Sequence, residues 1–146
     1  QNLHHYDLDL KYDHVKLEQR IKVCAVVMHQ VCHRFNDGEQ AFTPKDIHEV
    51  TKIPQQIINH AVKELLQAKL LVEIRSEKKG SFEESIILHP IEKIDHLTYG
   101  AMIERLFTYG ADVVGLAELN PDWEKWKDID VLNAEFVESG KSINFV

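Results

Sequence analysis

The chain has 146 residues and a net charge of −7, from 17 basic and 24 acidic side chains. This length suffices for one well-packed domain, and the longest apolar runs, such as 24–28, are far too short to cross a bilayer. Cys24 and Cys32 lie eight residues apart on one predicted helix, too far apart to bridge each other, which favours a reducing compartment.

The first part of the chain is predicted to form an arm followed by a long helix. Residues 1–12 form the extended arm, because apolar and polar side chains alternate from 5 to 12. Apolar residues then recur every three or four positions, which predicts a first helix that Asp13 caps and that ends near Asn36. Asn36-Asp37-Gly38 is typical of a helix stop.

A second and a third helix are predicted in close succession. Thr43 can cap the second, with Pro44 at its first position and Asp46 three residues after the cap, and this helix ends near Val50. Pro54 opens the third helix, which has one apolar stripe. Its outward side chains form the candidate recognition surface: Gln55, Gln56, Asn59, His60 and Lys63.

Two short β-rich segments follow the third helix, at 70–75 and 85–89, around a polar tip. The candidate basic side chains of this hairpin are Arg75, Lys78 and Lys79. Helix, turn, helix and hairpin in this order predict an α+β, mostly helical fold. We therefore expect a winged helix-turn-helix domain over 13–110, with the N-terminal extended arm before it and extra C-terminal helices.

A fourth helix is predicted over 95–109, with Asp95 as its cap and Gly110 after its end. Its apolar stripe is wider than a lone surface helix leaves in water. The stripe therefore either folds back onto the chain or pairs with its copy in a homodimer. The candidate self-association residues are Tyr99, Met102, Ile103, Leu106 and Phe107.

The remaining residues, 111–146, form an acidic C-terminal tail with three basic and eight acidic side chains. A short helix is predicted at about 121–132, where Trp123 and Trp126 are spaced to anchor it onto the body. One common core is predicted for the helices, and its members include Ile21, Met28, Phe35, Ile57, Leu65 and Leu66.

The charge pattern argues against strong DNA binding. A helix-turn-helix domain needs basic side chains that contact phosphates, yet residues 43–90 carry seven basic and seven acidic groups. We therefore expect negligible sequence-independent affinity for DNA at physiological salt. A protein partner becomes the first hypothesis, with DNA as the alternative.

No catalytic residue, metal site or cofactor is predicted. The chain contains no glycine-rich phosphate loop and no Gly-x-Ser-x-Gly sequence. His29, Cys32 and His33 lie on adjacent helical positions, but no second pair of ligands follows at the spacing of a zinc site.

Many weakly specific positions resemble the cytoplasmic C-terminal domain of the YihY/BrkB (ribonuclease BN-like) inner-membrane proteins. The matching segments are YDLDLK at 6–11, RFNDG at 34–38, FTP at 42–44, IPQQIIN at 53–59, IDHLTYG at 94–100 and YG at 109–110. The resemblance implies six membrane spans before Gln1, and a non-catalytic regulatory or protein-interaction domain on the cytoplasmic face of the inner membrane. Its partner would be a protein or the parent's own membrane region.

Two alternatives remain open. The middle of the chain, with Ile53-Pro54 and the later Ala68-Lys69-Leu70-Leu71, also resembles small winged-helix repressors that sense iron–sulfur clusters. That resemblance implies a free-standing transcriptional regulator that binds DNA, although no cysteine follows Cys32. A third hypothesis is the RNA-processing nuclease that the old name of the YihY/BrkB family implies.

Overall fold

A computed structural model of the chain describes residues 11–77, 84–116 and 125–146. Within these ranges five α-helices and one two-stranded antiparallel sheet are present. The helices are α1 (Leu17–Asn36), α2 (Pro44–Thr51), α3 (Gln55–Gln67), α4 (Tyr99–Thr108) and α5 (Lys125–Gly140), and the strands are β1 (Leu71–Glu77) and β2 (Glu84–Pro90). Helix-turn-helix and hairpin follow in the predicted order, which confirms the winged-helix fold class.

The second helix begins as its sequence predicts. The Thr43 side chain accepts from the Asp46 amide at 3.1 Å, and the Asp46 carboxylate accepts from the Thr43 amide at 2.9 Å. Two of the amides that a helix start leaves unpaired are satisfied in this way. At the other end Lys52 adopts a left-handed backbone, with φ of +63°, and turns the chain into α3.

Two other predicted caps are wrong. Asp13 lies in a 3-10 turn, Tyr12–His14, and α1 begins only at Leu17, with no side chain capping it. Asp95 lies in a second 3-10 turn, Ile94–His96, and the hydroxyl of Thr98 caps α4 by accepting from the Ala101 amide at 3.1 Å. In both places a short 3-10 turn separates the acidic residue from the helix, so its carboxylate lies too early in the chain to cap.

The hydrophobic core lies between α1, α3 and the sheet. Met28, Ile58 and Leu65 are fully buried there, and Leu88 of β2 packs into the same cluster. Phe35 was predicted in this core but is 51 % exposed, because it lies in the last turn of α1, where its ring meets His89 at the surface. Ile21 and Leu66 are only partly buried at the edge of the cluster.

The hairpin is tied to the helices through backbone hydrogen bonds. Its strands pair in register from Leu71 opposite Pro90 to Glu77 opposite Glu84. The Leu88 amide donates to the Phe42 carbonyl at 3.0 Å, so the segment before α2 runs beside β2. This contact fixes the hairpin next to the helix-turn-helix.

The C-terminal helix packs against α4 at a crossing of two glycines. A Cβ on Gly100 would lie 2.3 Å from the Val137 carbonyl oxygen, so the two backbones touch at this position. Beyond α5 the chain returns: Asn144 pairs with Thr98 in a β-bridge, and Phe145 is buried. The described part of the predicted C-terminal helix is Lys125–Gly140, so this helix continues past its predicted end near 132, whereas Trp123 lies outside the described residues.

Candidate nucleic-acid interface

The third helix presents a polar face to solvent. Gln56, Asn59 and Lys63 are exposed on it, while Ile57, Ile58, Ala61 and Leu65 on the opposite side are buried. Neither Gln56 nor Lys63 has a partner within the part of the chain that the structure describes. Both side chains are therefore available to a ligand that lies along α3.

Gln55 orders the start of this face. Its amide nitrogen donates to Asn59 Oδ1 at 2.9 Å and to the Pro44 carbonyl at 3.3 Å. The first bond fixes the rotation of the Asn59 amide, and the second ties α3 to the start of α2. Gln55 is only partly exposed, so it holds its neighbours in place more than it faces outward.

His60 lies at the border of the face. Its ring stacks on Tyr12, with ring centroids 5.1 Å apart and planes 7° apart. The 3-10 turn before α1 therefore covers one side of α3. Of the five side chains predicted for the recognition surface, only Gln55 is partly buried, and the other four are exposed. Asn59 and His60 each have a partner within the chain, Gln55 and Tyr12 respectively.

A groove runs between α3 and the hairpin. It has a volume of about 610 Å³, and Lys45, Asn59 and Lys63 line one side of it. Glu73 and Ser85 of the hairpin line the other side. Two ammonium groups and an amide thus face a single carboxylate, which gives this groove a positive balance that the charge count for 43–90 conceals.

Only part of the predicted wing is described. Arg75 is exposed on β1, where it pairs in register with Ile86. Lys78 and Lys79 lie outside the described residues. Ile86 is 39 % exposed and lines the groove. Val72 and Ile74, exposed to a similar extent, alternate with Glu73 and Arg75 along β1 and so lie on the other face of the hairpin.

The predicted self-association stripe divides into two parts. Met102 and Ile103 are fully buried within the chain, and Tyr99 and Leu106 are partly buried. Phe107 is 49 % exposed and stacks on Phe136 of α5, with ring centroids 6.4 Å apart. Most of the stripe thus packs within the chain, and Phe107 extends the exposed apolar surface of α5.

A buried polar network behind the polar face was not predicted from the sequence. The Tyr12 hydroxyl donates to Glu64 Oε2 at 2.7 Å, and the Cys24 thiol lies 3.7 Å from the same oxygen. Burial, reinforced by the Glu64 charge, raises the pKa of Cys24 to about 12. Burial likewise raises the pKa of Tyr12. The one sequence feature that could have indicated this network is Glu64, a charged residue directly before Leu65 in the apolar stripe of α3.

The described residues contain no group of three or more histidine, cysteine or acidic side chains that could hold a metal ion. The His29 and His33 rings meet edge to face at 4.3 Å, and His29 Nδ1 lies 2.9 Å from the Phe145 carbonyl oxygen. His29 therefore joins α1 to the C-terminal segment, and His33 packs on the His29 ring. Within the same residues no helix is both long and apolar enough to cross a membrane.

Comparison with solved structures gives matches to regulators. A putative transcriptional regulator from Listeria innocua aligns over 89 % of this chain and 83 % of its own, with a TM-score of 0.55 and 10 % identity. CymR, the global cysteine regulator of B. subtilis, aligns over 88 % and 97 %, with a TM-score of 0.50 and 15 % identity. CymR of Staphylococcus aureus aligns over 87 % and 92 %, with a TM-score of 0.53 and 15 % identity.

These likenesses define the fold: the chain has the winged-helix architecture of these regulators, over most of its length and most of theirs. No protein-family model and no curated protein matches the sequence.

The hypothesis of a YihY/BrkB membrane-protein domain is overturned by this comparison. The solved structures that share the fold over most of their own length are regulators, not domains of membrane proteins. The membrane parent, its partner and the ribonuclease hypothesis gain no support from any match. The shared positions failed as a family signature because helix caps and turn residues recur in any winged helix.

Proposed function

We propose that this chain is a transcriptional regulator that binds duplex DNA through α3 and the adjacent groove. The observation that carries the proposal is the polar face of α3, where Gln56, Asn59 and Lys63 are exposed beside a groove lined by Lys45. Asparagine and glutamine amides can each make a pair of hydrogen bonds to adenine in the major groove. The fold of the matching regulators supports the same conclusion.

The acidic balance of the chain limits how this binding works. Lys45, Lys52 and Lys63 are exposed on α2, in the turn and on α3, which supplies about three phosphate contacts per protomer. The logarithm of affinity should then fall with the logarithm of salt concentration by roughly 0.9 per contact, a slope of about −3 per protomer. Non-specific binding is therefore weak, and base contacts from α3 supply a large share of the affinity.

A two-fold dimer would double these contacts. On α5, Ile129, Leu132 and Phe136 are 38 %, 63 % and 48 % exposed, at a spacing of three and four residues. Together with Phe107 they form an apolar surface that one chain leaves uncovered. We propose that two copies pair through this α5 surface, because a two-fold dimer also matches a palindromic DNA site.

Selection from a random duplex library tests the DNA-binding proposal. The purified full chain should enrich one sequence motif over successive rounds. Asn59→Ala should relax the base preference at one position of the motif and cost about 1–3 kcal/mol of binding free energy. Lys63→Ala should lower the affinity for all DNA sequences by a similar factor. Glu104→Ala, on the exposed side of α4, is the matched control. Failure to enrich any motif at low salt would contradict the proposal.

Light scattering tests the dimer. Phe136→Glu introduces a charge into the α5 surface and should yield a folded monomer, since Phe136 is half exposed within one chain. Phe107→Glu should have the same effect. Lys141→Glu, which lies just past α5 and is exposed, serves as a control for added negative charge. A wild-type protein that is monomeric at all concentrations would contradict the dimer.

A further inference from the structure

A small pocket lies behind the polar face of α3, between α1, α3 and the end of α4. Its volume is about 130 Å³. Its lining residues are mostly apolar, with one charged group from α1 and one from α3: Leu17, Arg20, Ile21, Cys24, Glu64, Leu106, Phe107 and Tyr109. An engineered cavity of roughly 150 Å³ binds benzene. The pocket therefore has room for a molecule of about six non-hydrogen atoms.

The two charged groups of this pocket lack counter-ions. Glu64 accepts from Tyr12 and Cys24, but it forms no ion pair with any described residue. Arg20 lies over the Tyr12 ring at 5.6 Å, and its Nε is buried without a hydrogen-bond partner. The two groups also do not pair with each other within the described structure. An unpaired, partly buried charge costs free energy, which an oppositely charged ligand would recover.

We infer that this pocket binds a small α-amino acid. The ammonium group of the ligand would pair with Glu64, and its carboxylate would pair with Arg20. Its short side chain would lie against the apolar walls formed by Ile21 and Leu106. A zwitterion is the ligand class that supplies both missing charges at once, and the pocket volume restricts the side chain to the size of those of alanine, serine or cysteine.

The pocket is coupled to the proposed DNA surface through two contacts. Glu64 belongs to α3, four residues after His60, and the Tyr12 hydroxyl that binds Glu64 belongs to the ring that stacks on His60. A ligand that pairs with Glu64 shares this carboxylate with the Tyr12 hydroxyl and so links the pocket to the turn that borders the polar face. This inference rests on the proposed function for its regulatory role, whereas the binding of an amino acid stands without DNA.

Isothermal titration and thermal melting of the full chain test the binding. The probes are L-alanine, L-serine and L-cysteine, each compared with propionate, which lacks the ammonium group, and ethylamine, which lacks the carboxylate. At least one amino acid should bind and, at a hundredfold excess over its Kd, raise Tm by about 9 °C. Propionate and ethylamine should bind at least tenfold more weakly. Equal binding of either analogue, or no binding of any amino acid below 10 mM, overturns the inference.

Two conservative variants locate the site. Glu64→Gln keeps an acceptor for the Tyr12 hydroxyl and removes the negative charge, and Arg20→Gln removes the guanidinium group. Each variant should bind the amino acid at least tenfold more weakly than the wild type. Glu104→Gln and Lys22→Gln neutralise exposed charges outside the pocket and should bind like the wild type. If both pocket variants bind the amino acid as tightly as the wild type, the assignment of the binding site to this pocket is overturned. Ligand binding that leaves the affinity for a selected DNA site unchanged overturns the regulatory role alone.

Discussion

At the scale of single residues, Gly100 and Gly140 let the backbones of α4 and α5 approach closely. A Cβ on Gly100 would meet the Val137 carbonyl at 2.3 Å and the Lys141 amide at 2.5 Å, and neither backbone atom can move freely. We expect Gly100→Ala to lower the free energy of unfolding by about 1–3 kcal/mol. Urea denaturation measures the free energy of unfolding. The control Glu104→Ala, on the exposed side of α4, should change it by no more than about 0.5 kcal/mol. An unchanged midpoint for Gly100→Ala would mean that α4 and α5 do not cross there.

The buried thiol of Cys24 makes stability depend on pH in the alkaline range. Burial raises its pKa from about 9 to about 12, so the folded chain favours the protonated thiol. That contribution is complete below about pH 9 and is lost as the pH rises towards 12. The free energy of unfolding should therefore fall above pH 9, and less steeply in Cys24→Ala. Parallel profiles for the two proteins between pH 7 and 10.5 would contradict the burial of this thiol.

At the scale of elements, the sequence predicts helices well where two independent signals agree. Thr43, Pro44 and Asp46 combine a cap, a suitable first residue and a reciprocal acceptor, and α2 begins at the predicted position. At Asp13 and Asp95 the only signal is a residue type that often caps helices. In both places the acidic residue lies in a 3-10 turn that precedes the helix. Turns of this kind carry no apolar periodicity, so the sequence pattern gives no sign of them.

Thr43 and Asp95 should differ in their contribution to stability, because only Thr43 caps a helix. Thr43→Ala removes the hydroxyl that accepts from the Asp46 amide and should cost about 1 kcal/mol. Asp95→Ala removes a carboxylate that caps no helix and should change stability by no more than about 0.5 kcal/mol. Thermal melting of the two variants side by side measures the difference. A larger loss for Asp95→Ala would contradict the position of the start of α4.

At the scale of the whole molecule, the fold could be predicted and the function could not. The order of apolar stripes, caps and β-rich segments is local information, and it is sufficient to specify a winged helix. The net charge of residues 43–90 carries no information about where the charges lie in space. Lys45 and Lys63 line one groove, whereas Glu49 lies outside its lining. The Glu64 pocket depends on contacts between residues far apart in the chain, such as Tyr12 and Glu64, which no periodicity indicates.

The most direct test of the central claim is fluorescence anisotropy with a selected duplex and its scrambled counterpart, at salt concentrations from 50 to 300 mM. We predict at least a hundredfold tighter binding to the selected duplex at each concentration, with a salt slope of about −3 per protomer that Lys63→Ala reduces by about 1. Equal affinity for the two duplexes, or no measurable binding to either at 50 mM salt, would contradict the account of this chain as a DNA-binding regulator.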